Sequence, residues 1–241
     1  MRKMLLAALV CPLLITSCDF VKSFHTIKGN GQLETEDRQV AHAERIRVSG
    51  GFDVELTQGA ATAVKIEADE NLLPYIVIRE ENGELHIGTR DHTSLSSEHN
   101  MKIYITTPRL TAFQLAGSGN VTGTNKFSGG DKLTLKILGS GDLSLDINTP
   151  ELSAEISGSG NMALKGETEK QNIRIAGSGD YKAEELKAEE TKVSIAGQGD
   201  VRVFADVSLD VSIAGAGSVY YKGAASVKQH VVGSGEIKKI Q

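Results

Sequence analysis

The 241-residue chain has no tryptophan, 5% aromatic residues and four prolines, against 26 glycines. So few rings exclude a core packed around large aromatics, and the glycines supply many tight turns between small buried aliphatics. Cysteine is nearly absent too: Cys11 and Cys18 are the only two, which leaves residues 19–241 with no disulfide framework and no reactive thiol. Charge of neither sign dominates, and the net value of -5 makes a poor nucleic-acid binder, because phosphate binding needs clustered Lys and Arg. Beyond the first residues no run is apolar and long enough to cross a bilayer.

The first residues are a different matter. Arg2 and Lys3 precede the apolar run Met4 to Ile15, and Thr16, Ser17 and Cys18 follow. A charged start, a short hydrophobic stretch and small residues before a cleavage point read as a secretory signal over residues 1–17. Ile-Thr-Ser-Cys resembles the lipobox of bacterial lipoproteins, which implies cleavage before Cys18 and lipidation of that residue. Loss of Arg2 and Lys3 would move the net charge from -5 to -7. The expected product is exported and anchored by lipid, most simply in the outer membrane, facing periplasm or cell surface.

What the chain has in abundance is one phrase: apolar, any, Gly, small, Gly, polar, apolar. It recurs at Gly117/Gly119, Gly139/Gly141, Gly158/Gly160, Gly177/Gly179, Gly197/Gly199, Gly215/Gly217 and Gly233/Gly235, at intervals of 22, 19, 19, 20, 18 and 18 residues. A near-fixed period of this length marks a solenoid, whose repeats bury their apolar faces only by stacking. About 19 residues at ~3.3 Å each give a path of roughly 60 Å, enough for one flattened turn of a parallel β-helix. Alternation agrees: Ile137 leads to Leu143, Leu145 and Ile147, Ile156 to Met162 and Leu164, and Ile195 to Val201 and Val203, one apolar row per strand.

Before the repeats, residues 18–38 show little periodicity and are expected to be a tether, although Ile27 to Leu33 (IKGNGQL) fits the phrase and offers a start for a cap. Residues 39–110 read as irregular rungs and 111–241 as regular ones. Asn82-Gly83 between IVIRE and ELHIG is a two-residue hairpin signal. Gly88 to Asn100 is the longest polar stretch and is expected to be a surface loop. Ala183 to Glu190 (AEELKAEE) carries helix-forming residues where its neighbours have a strand, and is expected to be an irregular loop or one helical turn.

Two glycines one residue apart allow positive φ at both positions and remove side chains where stacked backbones crowd together. Stacked turns would align the serines between them, and also a ladder of Asn120, Asp142, Asn161, Asp180, Asp200, Ser218 and Glu236. Such short polar side chains cap turns by bonding backbone amides. Where Asp180 and Asp200 fall on adjacent rungs, repulsion must be relieved by hydrogen bonds or a cation, so this pair is the candidate cation site.

Other chemistry fits poorly. Calcium-binding β-rolls use a nine-residue period, about half of this one. A dinucleotide fingerprint needs Gly-x-Gly-x-x-Gly once, before a helix, whereas GSGNVTG has the wrong third spacing and the phrase repeats. The six-residue aliphatic period of left-handed acyltransferase helices breaks at Thr168 after Ile156 and Met162. Asp91, His92, Glu98 and His99 are the densest titratable group, without a zinc-motif spacing. No nucleophile elbow is present, and no cofactor is expected.

The lipobox, VSGGFDVELTQG from Val48, ADENLLPYI from Ala68 and the repeated GSG turns together resemble the family called putative autotransporter adhesin, head GIN domain. The resemblance implies an all-β, right-handed parallel β-helix, similar in outline to pectin-lyase-like proteins but without their catalytic residues. The expected function is therefore non-enzymatic: a cell-envelope lipoprotein whose β-helix serves as an adhesion or ligand-binding surface, for a glycan or protein ligand. A carbohydrate-active β-helical lyase or hydrolase, or a purely structural envelope component, are the alternatives. Lys238 and Lys239 beside the last turn would blunt an open terminal rung, or that end is an oligomer contact.

Overall fold

The computed structural model describes residues 25–241; Cys11, Cys18 and the signal segment lie outside the described residues. In chain order the strands are β1 (His25–Lys28), β2 (Leu33–Arg38), β3 (Arg45–Gly50), β4 (Asp53–Gln58), β5 (Ala63–Asp69), β6 (Ile76–Glu81) and β7 (Glu84–Thr89). Next come β8 (Thr93–Ser96), β9 (Lys102–Thr107), β10 (Ala112–Gly117), β11 (Asn120–Ser128), β12 (Lys132–Gly139), β13 (Asp142–Asn148) and β14 (Glu151–Gly158). The last are β15 (Met162–Gly177), β16 (Tyr181–Gly197), β17 (Val201–Phe204), β18 (Ser208–Gly215), β19 (Val219–Lys222), β20 (Ser226–Gly233) and β21 (Ile237–Lys239). Among the described residues one 3-10 turn is formed, Leu73–Tyr75, which precedes β6.

These strands form a parallel β-solenoid with two faces. One face runs β7, β3, β10, β12, β14, the second half of β15, the second half of β16, β18 and β20, all parallel. The other runs β9, β4, β11, β13, the first half of β15, the first half of β16, β17, β19 and β21, also parallel. The Gly-x-Gly turn joins the faces at one corner, and β15 and β16 pass unbroken around the other. Between the faces lie aliphatic columns one residue per coil, such as Val48, Leu115, Ile137, Ile156, Ile175, Ile195 and Ile213, all buried. Each such side chain contributes roughly 1.5–3 kcal/mol, and branched aliphatics suit the pleated stack.

The corner explains the glycines. At Gly158 φ is +130°, and a Cβ would lie 2.2 Å from the Gly139 carbonyl oxygen of the coil below. Glycine permits left-handed backbone at both positions of each pair, and only the first uses it. Gly119, Gly141, Gly160, Gly179, Gly199, Gly217 and Gly235 all lack the positive φ of their partners. Their need is space alone, because each sits directly over backbone of the preceding coil. A Cβ on Gly119 would lie 1.8 Å from Phe52 O, one on Gly160 2.1 Å from Gly141 O, and one on Gly179 2.0 Å from Gly160 O. Higher in the stack the same approach is 2.0 Å from Gly199 to Gly179 O, 2.3 Å from Gly217 to Gly199 O and 2.4 Å from Gly235 to Gly217 O. The first glycine therefore makes the bend, and the second lets the coils close.

Two successive amides, Ser159 N–H at 2.9 Å and Gly160 N–H at 3.1 Å, donate to Gly139 O, and the same shared contact recurs where Ser178 and Gly179 meet Gly158 O. The intervening serines are exposed, and Gln198 and Ala216 take their place without loss of the amide bond.

Coil order departs from chain order. β3 pairs with β7 on one side and β10 on the other, and β4 likewise lies between β9 and β11. The chain thus lays down β3 and β4, leaves to build the end of the stack, then steps over its first coil to continue. Gly50 is consequently in register with Gly117, and Phe52, fully buried, occupies the second-glycine position of that first corner. Antiparallel pairs β2–β5–β9 and β6–β7 close this end over buried Leu72, Leu73 and Ile76. The β6–β7 hairpin turns at Asn82 and Gly83 with φ of 53° and 74°, as Asn-Gly predicts.

Three expectations change. The tether does not extend to residue 38, because β1 pairs with β8 and β2 with β5; β2 hides its period by setting Glu34, Glu36 and Arg38 opposite the core residues Ala68, Ile66 and Val64. The polar stretch 88–100 is not one loop, since Thr93–Ser96 forms β8. AEELKAEE is strand throughout, with Ala183, Leu186 and Ala188 buried. A register shift of one residue opposite Ala163–Lys165 accommodates Glu184 and accounts for the interval of 20 rather than 19.

Candidate functional site

The polar ladder stacks beside the glycine corner as the repeat predicts, and it begins one coil earlier, at Asp53. Asp53 Oδ1 accepts the Asn120 N–H at 3.1 Å, and Asp142 Oδ1 accepts the Asn161 N–H at 3.0 Å. Asn161 Oδ1 accepts the Asp180 N–H at 3.1 Å, Asp180 Oδ1 the Asp200 N–H at 3.1 Å, and Asp200 Oδ1 the Ser218 N–H at 2.9 Å. Asp180 and Asp200 are thus adjacent, each with one oxygen on a backbone amide of the next coil, and Asp180 Oδ2 lies 3.9 Å from Lys182 Nζ. Hydrogen bonding and a cationic side chain relieve the pair. Among the described residues no group of three or more His, Cys, Asp or Glu is placed to hold a metal ion. At the corners the amides of Ser140, Gly141, Ser159, Gly160, Ser178 and Gly179 are already engaged by carbonyls of the coil below, which leaves them unavailable to a phosphate.

Of the polar group Asp91, His92, Glu98 and His99, the structure brings His99 to a residue absent from that group. Asp69, at the end of β5, is buried; Ser97 Oγ donates to its Oδ2 and His99 Nδ1 lies 3.3 Å from its Oδ1. Ser, His and Asp together invite comparison with a nucleophilic triad, but the wiring differs. A triad passes the serine proton to histidine, whereas here the hydroxyl bonds the carboxylate directly, and Ser97 Oγ also accepts the His99 N–H at 2.9 Å. The Ser97 hydroxyl foremost, with the His99 imidazole and the Gly31 amide, holds the Asp69 carboxyl below its ordinary range against the opposing effect of burial. This cluster clamps the β1–β8 layer to the capped end. Only an inward aspartate ending an alternating strand hinted at it.

An open concavity lies at the second corner, where the two faces meet. It is a groove of about 560 Å³ lined by Asn148, Thr149 and Pro150 from one coil, Glu167 to Glu169 from the next, Lys187 to Glu189 from the third, and Phe204 with Asp206 from the fourth. The register sets Asn148 beside Glu167 and Glu167 beside Lys187. Thr149 and Thr168 turn inward and donate to Gly130 O and Pro150 O, which fixes the floor. Glu169, Lys187 and Glu189 are exposed. Elsewhere on the faces, Lys132–Glu151, Lys136–Glu155 and Lys170–Glu190 pair between coils; the groove charges form no ion pair among the described residues. Beneath it a buried network joins Tyr181 OH to Gln171 Oε1 at 3.0 Å and Gln171 Nε2 to Thr191 Oγ1 at 3.0 Å. Sequence reasoning missed the groove because its residues come from separate repeats.

A stacked scaffold with glycine corners, hydrogen-bonded polar ladders and an open polar groove defines a glycine-cornered parallel β-solenoid. Residues 43–225 match the family described as putative auto-transporter adhesin, head GIN domain, and the chain belongs to that family. Its fold is similar to that of a putative adhesin from Bacteroides fragilis, 26% identical, with a TM-score of 0.82 over 89% of this chain and 100% of that one. It is similar also to a putative lipid binding protein from Parabacteroides distasonis, 26% identical, with a TM-score of 0.75 over 90% of this chain and 100% of that one. A putative adhesin from Parabacteroides merdae, 23% identical, shares the fold with a TM-score of 0.72 over 90% of this chain and 100% of that one. No curated protein matches the chain.

Proposed function

We propose that this chain is an exported envelope lipoprotein, anchored through Cys18, whose β-solenoid binds a glycan or protein ligand in the groove at the second corner. The observation that carries the proposal is that four of the five charged side chains there, Glu167, Glu169, Lys187 and Glu189, make no hydrogen bond or ion pair among the described residues, although Asp206 accepts the Ala224 N–H and neighbours on the faces form ion pairs. Carboxylates beside an ammonium group bind sugar hydroxyls or polar peptide groups, and the ring of Phe204 with Pro150 offers an apolar patch for a sugar face or side chain. The family and the names carried by its solved relatives, adhesin and lipid binding protein, support recognition rather than turnover.

Binding of the purified chain to panels of bacterial and host glycans and to envelope extracts tests the proposal. The triple variant Glu169→Ala, Lys187→Ala, Glu189→Ala is expected to lose at least tenfold in affinity, about 1.4 kcal/mol. Unchanged affinity in the folded variant refutes the groove, and release of saccharide fragments by the wild-type chain would replace binding with catalysis.

A further inference from the structure

The two ends of the stack differ. At the β2 end the core is sealed by Leu72, Leu73 and Ile76, with the β1–β8 layer clamped beside it through Asp69. The outermost strands of the two faces there, among the described residues, are β2, strand-paired only with β5, and β6, strand-paired only with β7, where Glu80 also accepts the Ala41 N–H. At the other end the outermost strands among the described residues are β20, bonded only to β18, and β21, bonded only to β19. Every residue of β20 is exposed, including Val227 and Val231, which continue the buried columns of Leu209 and Ile213. Among the described residues the exposed large apolar side chains are Leu33, Val207, Val227, Val231 and Val232. All but Val207 lie on the terminal strands β2 and β20.

Charge divides in the same way. β20 and β21 with their turn carry Lys228, Lys238 and Lys239 against Glu236, whereas β2 and β6 carry Glu34, Glu36, Asp37, Glu80 and Glu81 against Arg38 and Arg79. Lys239 follows the inward column of Val203 and Tyr221, and Glu34 and Glu36 face inward at the opposite end of the same sheet. Charged edge strands ordinarily prevent pairing. Here the signs are opposite at the two ends, so like ends repel and unlike ends attract. Direction fits as well: β2 is antiparallel to β5, which is antiparallel to β9, so β2 runs in the same sense as β21.

We infer that the basic edge formed by β20 and β21 docks the acidic β2 edge of a second copy of this chain, continuing the sheet by strand addition. The contact is head-to-tail, and such a heterologous contact, if it does not close into a ring, propagates into a filament. Apolar columns exposed at β20 would then meet a neighbour's cap, and Lys239 would face Glu34.

The test is the mass of the full chain in detergent over a hundredfold range of concentration at low and high salt, with Lys238→Glu/Lys239→Glu and Glu34→Lys/Asp37→Lys as variants. Growth beyond a dimer is expected, at least tenfold weaker in high salt. Each variant alone should remain monomeric while keeping the wild-type circular dichroism and melting profile. Mixed, the two should associate again, because each supplies the edge that complements the other, and a variant that merely failed to fold could not be rescued so. A monomer at every concentration, a closed dimer that stops growing, or growth indifferent to the charge reversals overturns the inference.

Discussion

Substituting Gly158 by alanine isolates the physical requirement of the glycine corner. The new Cβ would lie 2.2 Å from Gly139 O and 3.0 Å from Gly139 C, with φ already at +130°. Backbone on both sides is held by the stack, so relief requires the coils to part. Overpacking adds ~1–3 kcal/mol and the sparsely populated φ another ~1–3, together about 2–6 kcal/mol. Gly83→Ala is the internal control: φ is +74° but nothing lies within 4 Å, so only the left-handed backbone is penalised, at about 1–2 kcal/mol. Gly233→Ala is a second control, with a Cβ 2.0 Å from Gly215 O in a terminal coil that can lift away, and its effect on global unfolding should fall well below that of Gly158. Urea denaturation at constant m-value reads all three. If Gly158→Ala and Gly83→Ala agree within about 1 kcal/mol, close approach of stacked backbones is not why the glycine is there.

Asp200→Ala removes the acceptor of the Ser218 N–H and should destabilise by about 1 kcal/mol, while Asp200→Asn should be near neutral in the same melt, since Asn161 serves Asp180 through an amide oxygen. Tyr181→Phe leaves the buried Gln171 Oε1 without its donor, and thermal denaturation should report a loss of about 1–3 kcal/mol. For Asp69, a folded pKa below the ordinary 3.8 means that the native state resists protonation. Its stabilisation is complete above that value and is lost as pH falls through the lower folded one. Amide exchange in β1 should therefore accelerate in acid below about pH 3.8 in the wild type, and Asp69→Asn should remove that acid-dependent increment.

The regular coils were legible because each repeats one local solution: an aliphatic two residues before a glycine has nowhere to point but inward. The glycine pairs were legible as a corner but not in their division of labour, since positive φ and crowding both select glycine and the chain records only the choice. AEELKAEE misled because alanine at a narrow inward position reads, in isolation, as helix former; Ala183 and Ala188 are buried as part of a strand that turns a corner. Strand β2 was invisible because its inward positions are charged, and Asp69 escaped notice because its partners Ser97 and His99 lie 28 and 30 residues away. The groove shares that difficulty. Neighbours across coils are separated by a full repeat, so a site assembled at a corner leaves no spacing motif along the chain.

The departure of coil order from chain order gives the two ends their separate characters. Closing the first coil onto the next spans 67 residues, as the Asp53–Asn120 contact between β4 and β11 records, whereas later coils close over about 19, an entropic difference of only about 1 kcal/mol because closure scales with the logarithm of length. The chain can therefore double back at little thermodynamic loss, and the inserted segment supplies Leu72, Leu73 and Ile76 to seal the aliphatic columns. No described segment does the same at β20, where Val227 and Val231 remain 38% and 37% exposed while the residues they follow in register are buried. A stack with one sealed end and one open edge is polar along its axis, and opposite charges at those ends turn that polarity into a rule for which end meets which.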